Sequence, residues 1–218
     1  MFVAKHPKRR ARRLHNPERT RQRLLQAAFR EVYRSGFRSA SLDAILGDTG
    51  VTKGALYYHF DGKEALGHAI VEEVIAVLTR DKWLLPLRSG GEPIDTLISI
   101  VRRTSVRAED VRGGCPLVNL SQEMSALDEN FRKRLARVFR AWRQGIAAAL
   151  RRGQTQGTVR RDLDPDETAG FLIAMYEGYV LLAKTAQDVN VMKGGVRNIA
   201  GWLTSLRAPG NRTDGGRP

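Results

Sequence analysis

A single cysteine, Cys115, stands in 218 residues, so no disulfide can close within the chain. That excludes the stapled architecture of small secreted domains and favours a reducing, cytoplasmic setting. No apolar run reaches the about 20 residues that a membrane-spanning helix needs. The first residues are basic but have no apolar stretch behind them, which argues against a secretory signal. Aromatic residues are sparse at 7%, and no alternating apolar–polar stretch of useful length suggests a strand. The four histidines, His6, His15, His59 and His68, have no metal-ligand spacing with one another or with Cys115. There is no glycine-rich phosphate loop after a strand and no nucleophile elbow. Asp162, Asp164 and Asp166 alternate, but Asp164-Pro165 accounts for them as a helix start. No metal, cofactor or catalytic residue is therefore assigned, and an enzyme is not expected.

Acidic residues are also short in supply: 23 against 37 Lys and Arg, for a net charge of +14. The imbalance is uneven. Residues 1–38 hold twelve basic residues and two acids, Glu18 and Glu31. The cluster Lys5, Lys8, Arg9, Arg10, Arg12, Arg13 precedes any helical pattern. A basic arm of this kind attracts polyanions, nucleic acid above all. Charge alone leaves a solubilising tail, RNA or an anionic membrane surface open.

What the chain does have is helical periodicity almost from end to end. Four segments are expected: a disordered basic arm over 1–16, a compact helical unit over 17–66, a larger helical domain over 67–207 and a disordered Gly/Pro-rich tail over 208–218. A first helix over 17–35 carries Leu24, Leu25, Ala28, Phe29, Val32 and Tyr33 on one face and ends at Gly36. Ser41 caps a second helix to Leu46, the segment 47–50 turns, and Thr52 caps a third to about Phe60. Asp61 and Glu64 form a capping-box pattern that opens a fourth helix to about Lys82. Further helices are expected over about 93–108, 116–126, 129–150, 165–186 and 192–206. The fold class is all-α.

Two short helices joined by a glycine-containing turn, behind a longer supporting helix, make a helix-turn-helix, whose second helix enters the major groove. At 100° per residue Leu56 and Phe60 share the core side, and Gly54 and Tyr58 point the other way with Tyr57 and Ala55 beside them. Lys53 sits in the first turn. A glycine inside a short helix costs roughly 1 kcal/mol relative to alanine; close approach to a DNA backbone gives it a reason, and a chance surface glycine is the alternative. Adjacent exposed tyrosines suit phosphate and base contacts, with a core role for one of the pair left open.

The residues from Ser41-Leu42-Asp43-Ala44-Ile45 through Val51-Thr52-Lys53-Gly54-Ala55-Leu56-Tyr57-Tyr58-His59-Phe60, followed by Lys63-Glu64-Ala65-Leu66, resemble the DNA-binding domain of TetR-family regulators. Gly114-Cys115-Pro116-Leu117-x-Asn119-Leu120 with Glu123-Met124 is similar to the ligand-domain signature of one subgroup. The resemblance implies that Thr52, Lys53, Gly54, Tyr57, Tyr58 and His59 meet a double-stranded DNA operator, that Lys63 contacts phosphate and that the start of the first helix, with Arg21, lies by the backbone. Ser41, at the start of the second helix, joins this set. The resemblance also implies a homodimer and a small-molecule effector. Gly170, Ala174 and Gly178 form a small-residue stripe, and Val196, Ile199 and Leu203 an apolar face, on the two helices expected to pair. Trp83, Met124, Phe131, Trp142, Tyr176 and Tyr179 are candidates for an apolar pocket. Cys115 joins them, and two readings stand for it. At a helix start near Arg112 its thiol pKa falls and it senses oxidants or electrophiles; buried, it is inert. The expected function is a ligand-released repressor, the alternative a non-specific architectural DNA-binding protein.

Overall fold

The computed structural model describes residues 17–103 and 107–209. The basic arm and most of the C-terminal tail lie outside them. Among the described residues there are ten helices and no strand, only an isolated bridge between Val159 and Arg207. They are α1 (Pro17–Ser35), α2 (Leu42–Thr49), α3 (Lys53–His59), α4 (63–88), α5 (Pro93–Arg102), α6 (Ala108–Gly113), α7 (Pro116–Met124), α8 (Glu129–Thr155), α9 (Pro165–Ala186) and α10 (Val189–Ser205).

The local chemistry of the helix ends explains most of these bounds. Ser41 and Thr52 cap α2 and α3 by accepting from the amides of Ala44 and Ala55, and Asp128 and Asp164 cap α8 and α9 in the same way. α2 runs three residues past the expected Leu46, because Gly50 adopts φ 63° and returns its amide to the Leu46 carbonyl. The expected Asp61–Glu64 capping box does not form. Gly62, at φ 102°, is the residue before α4, and no side chain caps that end.

α4 is longer than expected and passes through Lys82 to Arg88. Two stretches of it, Ile70–Ile75 and Arg80–Leu84, are wound as π-helix. The second comes just before Pro86, which has no N–H to return to the preceding turn. The helix expected over 93–108 ends at Arg102, and the short α6 precedes the glycine turn. α10 starts earlier than expected, capped by Asp188. The expected disorder does not begin at 208, since the Ala208 amide donates to the Thr158 carbonyl at 3.0 Å.

One continuous core runs through the molecule. α1, α2 and α3 pack around Leu24, Ala28, Ile45 and Leu56. α8 and α10 flank α9, and α10 also packs on α5. α4 joins the two regions. Where it leaves the first, Gly67 lies beneath the rings of Phe37 and Phe131, so close that a Cβ would overlap both.

Candidate nucleic-acid interface and effector cavity

α3 is anchored by one side and open on the other. Leu56 is 0% exposed and Phe60 is buried, while Tyr58 is 78% and Tyr57 48% exposed. Thr52, Lys53 and Gly54 are exposed as well, and His59 is half-buried with its ring 5.0 Å edge-on to that of Tyr58. Both tyrosines are thus on the outside. Nothing lies within 4 Å of where a Gly54 Cβ would stand, so no packing within the chain calls for glycine at that position. Ser41 is exposed at the start of α2.

Two of the expected backbone contacts are engaged inside the chain. Arg21 makes a two-pronged ion pair with Glu73 of α4, at 2.6 and 2.5 Å, and its guanidinium lies 5.0 Å from the Phe60 ring centroid. The hydrogen bond to Glu73 raises the Arg21 pKa. It clamps α1 to α4, so without DNA Arg21 serves as a brace between the two helices. Lys63 donates to the Arg38 carbonyl at 2.9 Å and sits over the Phe37 ring; its ammonium retains two further donors.

A cavity of about 370 Å³ lies between α4, α7, α8 and α9. Of the seven candidates, Trp83, Cys115, Trp142 and Tyr176 line it. Met124, Phe131 and Tyr179 do not. Met124 is core, and Phe131 packs against Phe37 and His68, both at 4.7 Å. Tyr179 covers Gly195 of α10 and accepts from Asn198. The residues missed were Lys82 and Glu177. Lys82 donates to the Tyr176 hydroxyl at 2.5 Å. Glu177 is 9% exposed, and among the described residues no nitrogen or oxygen donor reaches either carboxyl oxygen. An acid within the apolar stretch Phe171–Leu182 was a signal for it.

Two tethers run from the region of this cavity to the first three helices. The Tyr33 hydroxyl of α1 donates to the Gly114 carbonyl at 2.7 Å, next to Cys115. Glu123, on α7, accepts from the amides of Phe37 and Arg38, both at 2.8 Å. Helix spacing could not have found either, because both join residues more than 80 apart. A second cavity, of about 510 Å³, lies along this junction, but its polar residues Asn119, Glu123 and Lys184 are already paired.

Residues 24–70 match the family model described as bacterial regulatory proteins, tetR family, and residues 93–199 that described as tetracyclin repressor-like, C-terminal domain. The chain belongs to the TetR family of transcriptional regulators. It is 32% identical to the HTH-type transcriptional repressor DhaR of Mycobacterium sp. strain GP1, over 77% of this chain and 84% of that one. It is 31% identical to an uncharacterized HTH-type regulator of Lactococcus lactis, over 83% and 91%. The structure of Escherichia coli NemR in its reduced form superposes with a TM-score of 0.76 at 25% identity, covering 87% of this chain and 97% of that one.

In this TetR-family chain the surroundings of Cys115 favour the buried, inert thiol of the two readings. Burial, and then the neighbouring Glu177 carboxylate, push it up to about 12. Arg112 turns away to Gln187, at 3.3 Å. Iodoacetamide at pH 8 is therefore expected to modify Cys115 more than about a hundredfold more slowly than free cysteine, since the thiolate is the nucleophile. A rate within tenfold of free cysteine, followed by mass spectrometry, contradicts this.

The expected pairing face also needs correction. Ile199 and Leu203 are both 0% exposed within the chain, so they belong to its core, and Val196 is half-buried. The outward side of α9 carries Phe171, Ala174, Leu181 and Leu182 in the open, with Gly170 and Gly178 half-buried. On α10 it is Trp202 that meets this side, its ring 5.2 Å from that of Phe171.

Proposed function

We propose that the chain is a ligand-released repressor that holds a palindromic operator as a homodimer in the cytoplasm. The observation that carries this is the open polar-aromatic side of α3, with Tyr58 and Lys53 presented to solvent on a buried Leu56 anchor. The names of DhaR and NemR as repressors support the direction of control. The division into a DNA-binding unit over 17–66 and an effector and dimer unit over 67–207 belongs to this reading. Phe171, Ala174, Gly178, Leu182 and Trp202 form the self-complementary face of the dimer, since a large exposed apolar patch on one helix side calls for a partner. The effector occupies the 370 Å³ cavity. It favours a dimer form whose two α3 helices no longer match successive major grooves, and operator affinity falls by its differential affinity for the two forms. α4, Tyr33 and Glu123 are the connections that transmit the change.

Selection of bound fragments from genomic DNA tests this. The expected result is enrichment of an inverted repeat with half-sites about one helical turn, or a multiple of it, apart. Affinity should fall with salt at a log–log slope of roughly −0.9 per phosphate contact. No enrichment, or loss of all binding to excess bulk DNA, would point instead to a non-specific architectural protein.

A further inference from the structure

We propose that the effector is a neutral, flat, apolar molecule that presents an N–H or O–H donor to the carboxyl group of Glu177. This rests on the reading of the 370 Å³ cavity as the effector site and adds the chemistry of what enters it.

The argument starts from the cost of a buried polar group without a partner, about 1–3 kcal/mol and more for a charged one. Glu177 is nine-tenths buried on the cavity wall, and among the described residues neither of its oxygens accepts from a nitrogen or oxygen donor. The thiol of Cys115, a weak donor, is its near neighbour, and the ammonium of Lys82 acts on it from a distance. Trp142 lines the same cavity, and among the described residues its indole N–H also has no acceptor. An acceptor and a donor are thus left open in a chamber walled by aromatic rings. Trp83 lies 4.9 Å from Trp142 and 5.1 Å from Tyr176.

The charges narrow the class further. Lys82 already occupies the aromatic faces that would attract a ligand cation, 4.8 Å from the Tyr176 centroid and 5.7 Å from that of Trp83. A permanently cationic ligand meets that ammonium. An anionic ligand meets the Glu177 carboxyl, whereas the charge of Asp110, which also lines the cavity, is matched by Arg107 at 2.9 Å. A neutral donor on a ring meets neither repulsion and satisfies the open carboxyl.

Calorimetric titration of the full chain with 2-naphthol, 2-methoxynaphthalene and 2-naphthoate tests the proposal. The first two differ in the O–H donor, and the third adds an anion. At pH 7, 2-naphthol is expected to bind at least about tenfold more tightly than 2-methoxynaphthalene, and 2-naphthoate more weakly than either. In Glu177→Leu the two neutral probes should bind within about twofold of each other. In the parent the preference should rise between pH 6 and pH 8 as the Glu177 carboxyl, raised by burial to about 7, ionises and becomes the better acceptor; in Glu177→Gln, which keeps an acceptor of the same shape, the preference should remain but lose that rise. Of the titratable groups facing that carboxyl, Lys82 on α4, Cys115 before α7 and Asp110 on α6, none ordinarily changes charge in that range. Equal affinities in the parent, an unchanged preference in Glu177→Leu, or no binding of 2-naphthol up to its solubility overturns the proposal. The readout is binding to the chain itself. A failed operator selection therefore leaves the probe preference intact, and a failed probe preference leaves operator binding intact.

Discussion

Tyr58→Ala and Lys53→Ala are each expected to weaken operator binding by about thirtyfold or more while the dimer and its helix content stay as in the parent. A good side-chain contact to a base is worth about 1–3 kcal/mol, a charge-assisted one to phosphate is of similar size, and a two-fold dimer loses either in both half-sites at once. Two such losses amount to about 2–6 kcal/mol, and each 1.4 kcal/mol is tenfold in affinity. The fold should hardly respond. Tyr58 is 78% exposed and Lys53 stands in solvent, whereas the residue that seats α3 is Leu56. Surface replacements of that kind usually fall within about 0.5 kcal/mol. The two variants should differ in their salt response. Loss of a lysine–phosphate contact from each protomer reduces the log–log slope by about two contacts' worth, and loss of the tyrosine leaves it nearer the parent value. Fluorescence anisotropy on the selected operator, with sedimentation to check the dimer, measures both effects. Parent-like affinity in both variants would remove α3 as the reading element.

The first three helices were legible in the sequence because their structure is local. The spacing of Leu24, Ala28, Leu56 and Phe60 identifies one buried side per helix, and Ser41 and Thr52 announce the helix starts. What misled was also local. Asp61 and Glu64 have the letters of a capping box, but Gly62 takes a positive φ between them and the box cannot close. Arg21 looks free in one dimension, since Glu73, its partner, is 52 residues away. The cavity was only half legible for the same reason. Periodicity finds Trp83, Trp142 and Tyr176 on buried sides, but cannot tell a side facing a cavity from one facing another helix, as Tyr179 and Phe131 show. Likewise, α10 has two apolar sides. Ile199 and Leu203 face inward against α9 and α5, and Trp202 alone of the large residues is left for a partner.

Glu177→Gln is expected to stabilise the ligand-free chain, by an amount that grows with pH. Burial, opposed by the neighbouring Cys115 thiol and the charge of Lys82, raises the Glu177 carboxyl from an ordinary 4.5 to about 7 in the folded chain. Below about pH 4.5 the side chain is protonated whether the chain is folded or not, and parent and variant should unfold alike. Between about 4.5 and about 7 the unfolded chain has given up this proton and the folded chain still holds it. Stability therefore falls as pH rises across that window, then levels off. A shift of that size corresponds to about 3 kcal/mol at its upper bound. Glutamine cannot ionise and escapes the loss, so at pH 8 the variant should be more stable by about 1–3 kcal/mol, or several degrees in Tm for a chain of this length. Of the charges facing the carboxyl, the Lys82 ammonium favours its ionised form. Lys82→Met should therefore raise the Glu177 pKa further and deepen the loss in the parent background, but leave the pH dependence of stability unchanged once the carboxyl has been replaced by the amide. Urea unfolding of the parent, the two single variants and the double variant between pH 4.5 and pH 8 measures the coupling directly. Parallel stability curves for the parent and the Glu177→Gln chain would rule it out. The sign of this effect bears on function as well: a regulator that keeps a destabilising carboxyl in its cavity holds in reserve the free energy that a matching donor releases when it binds.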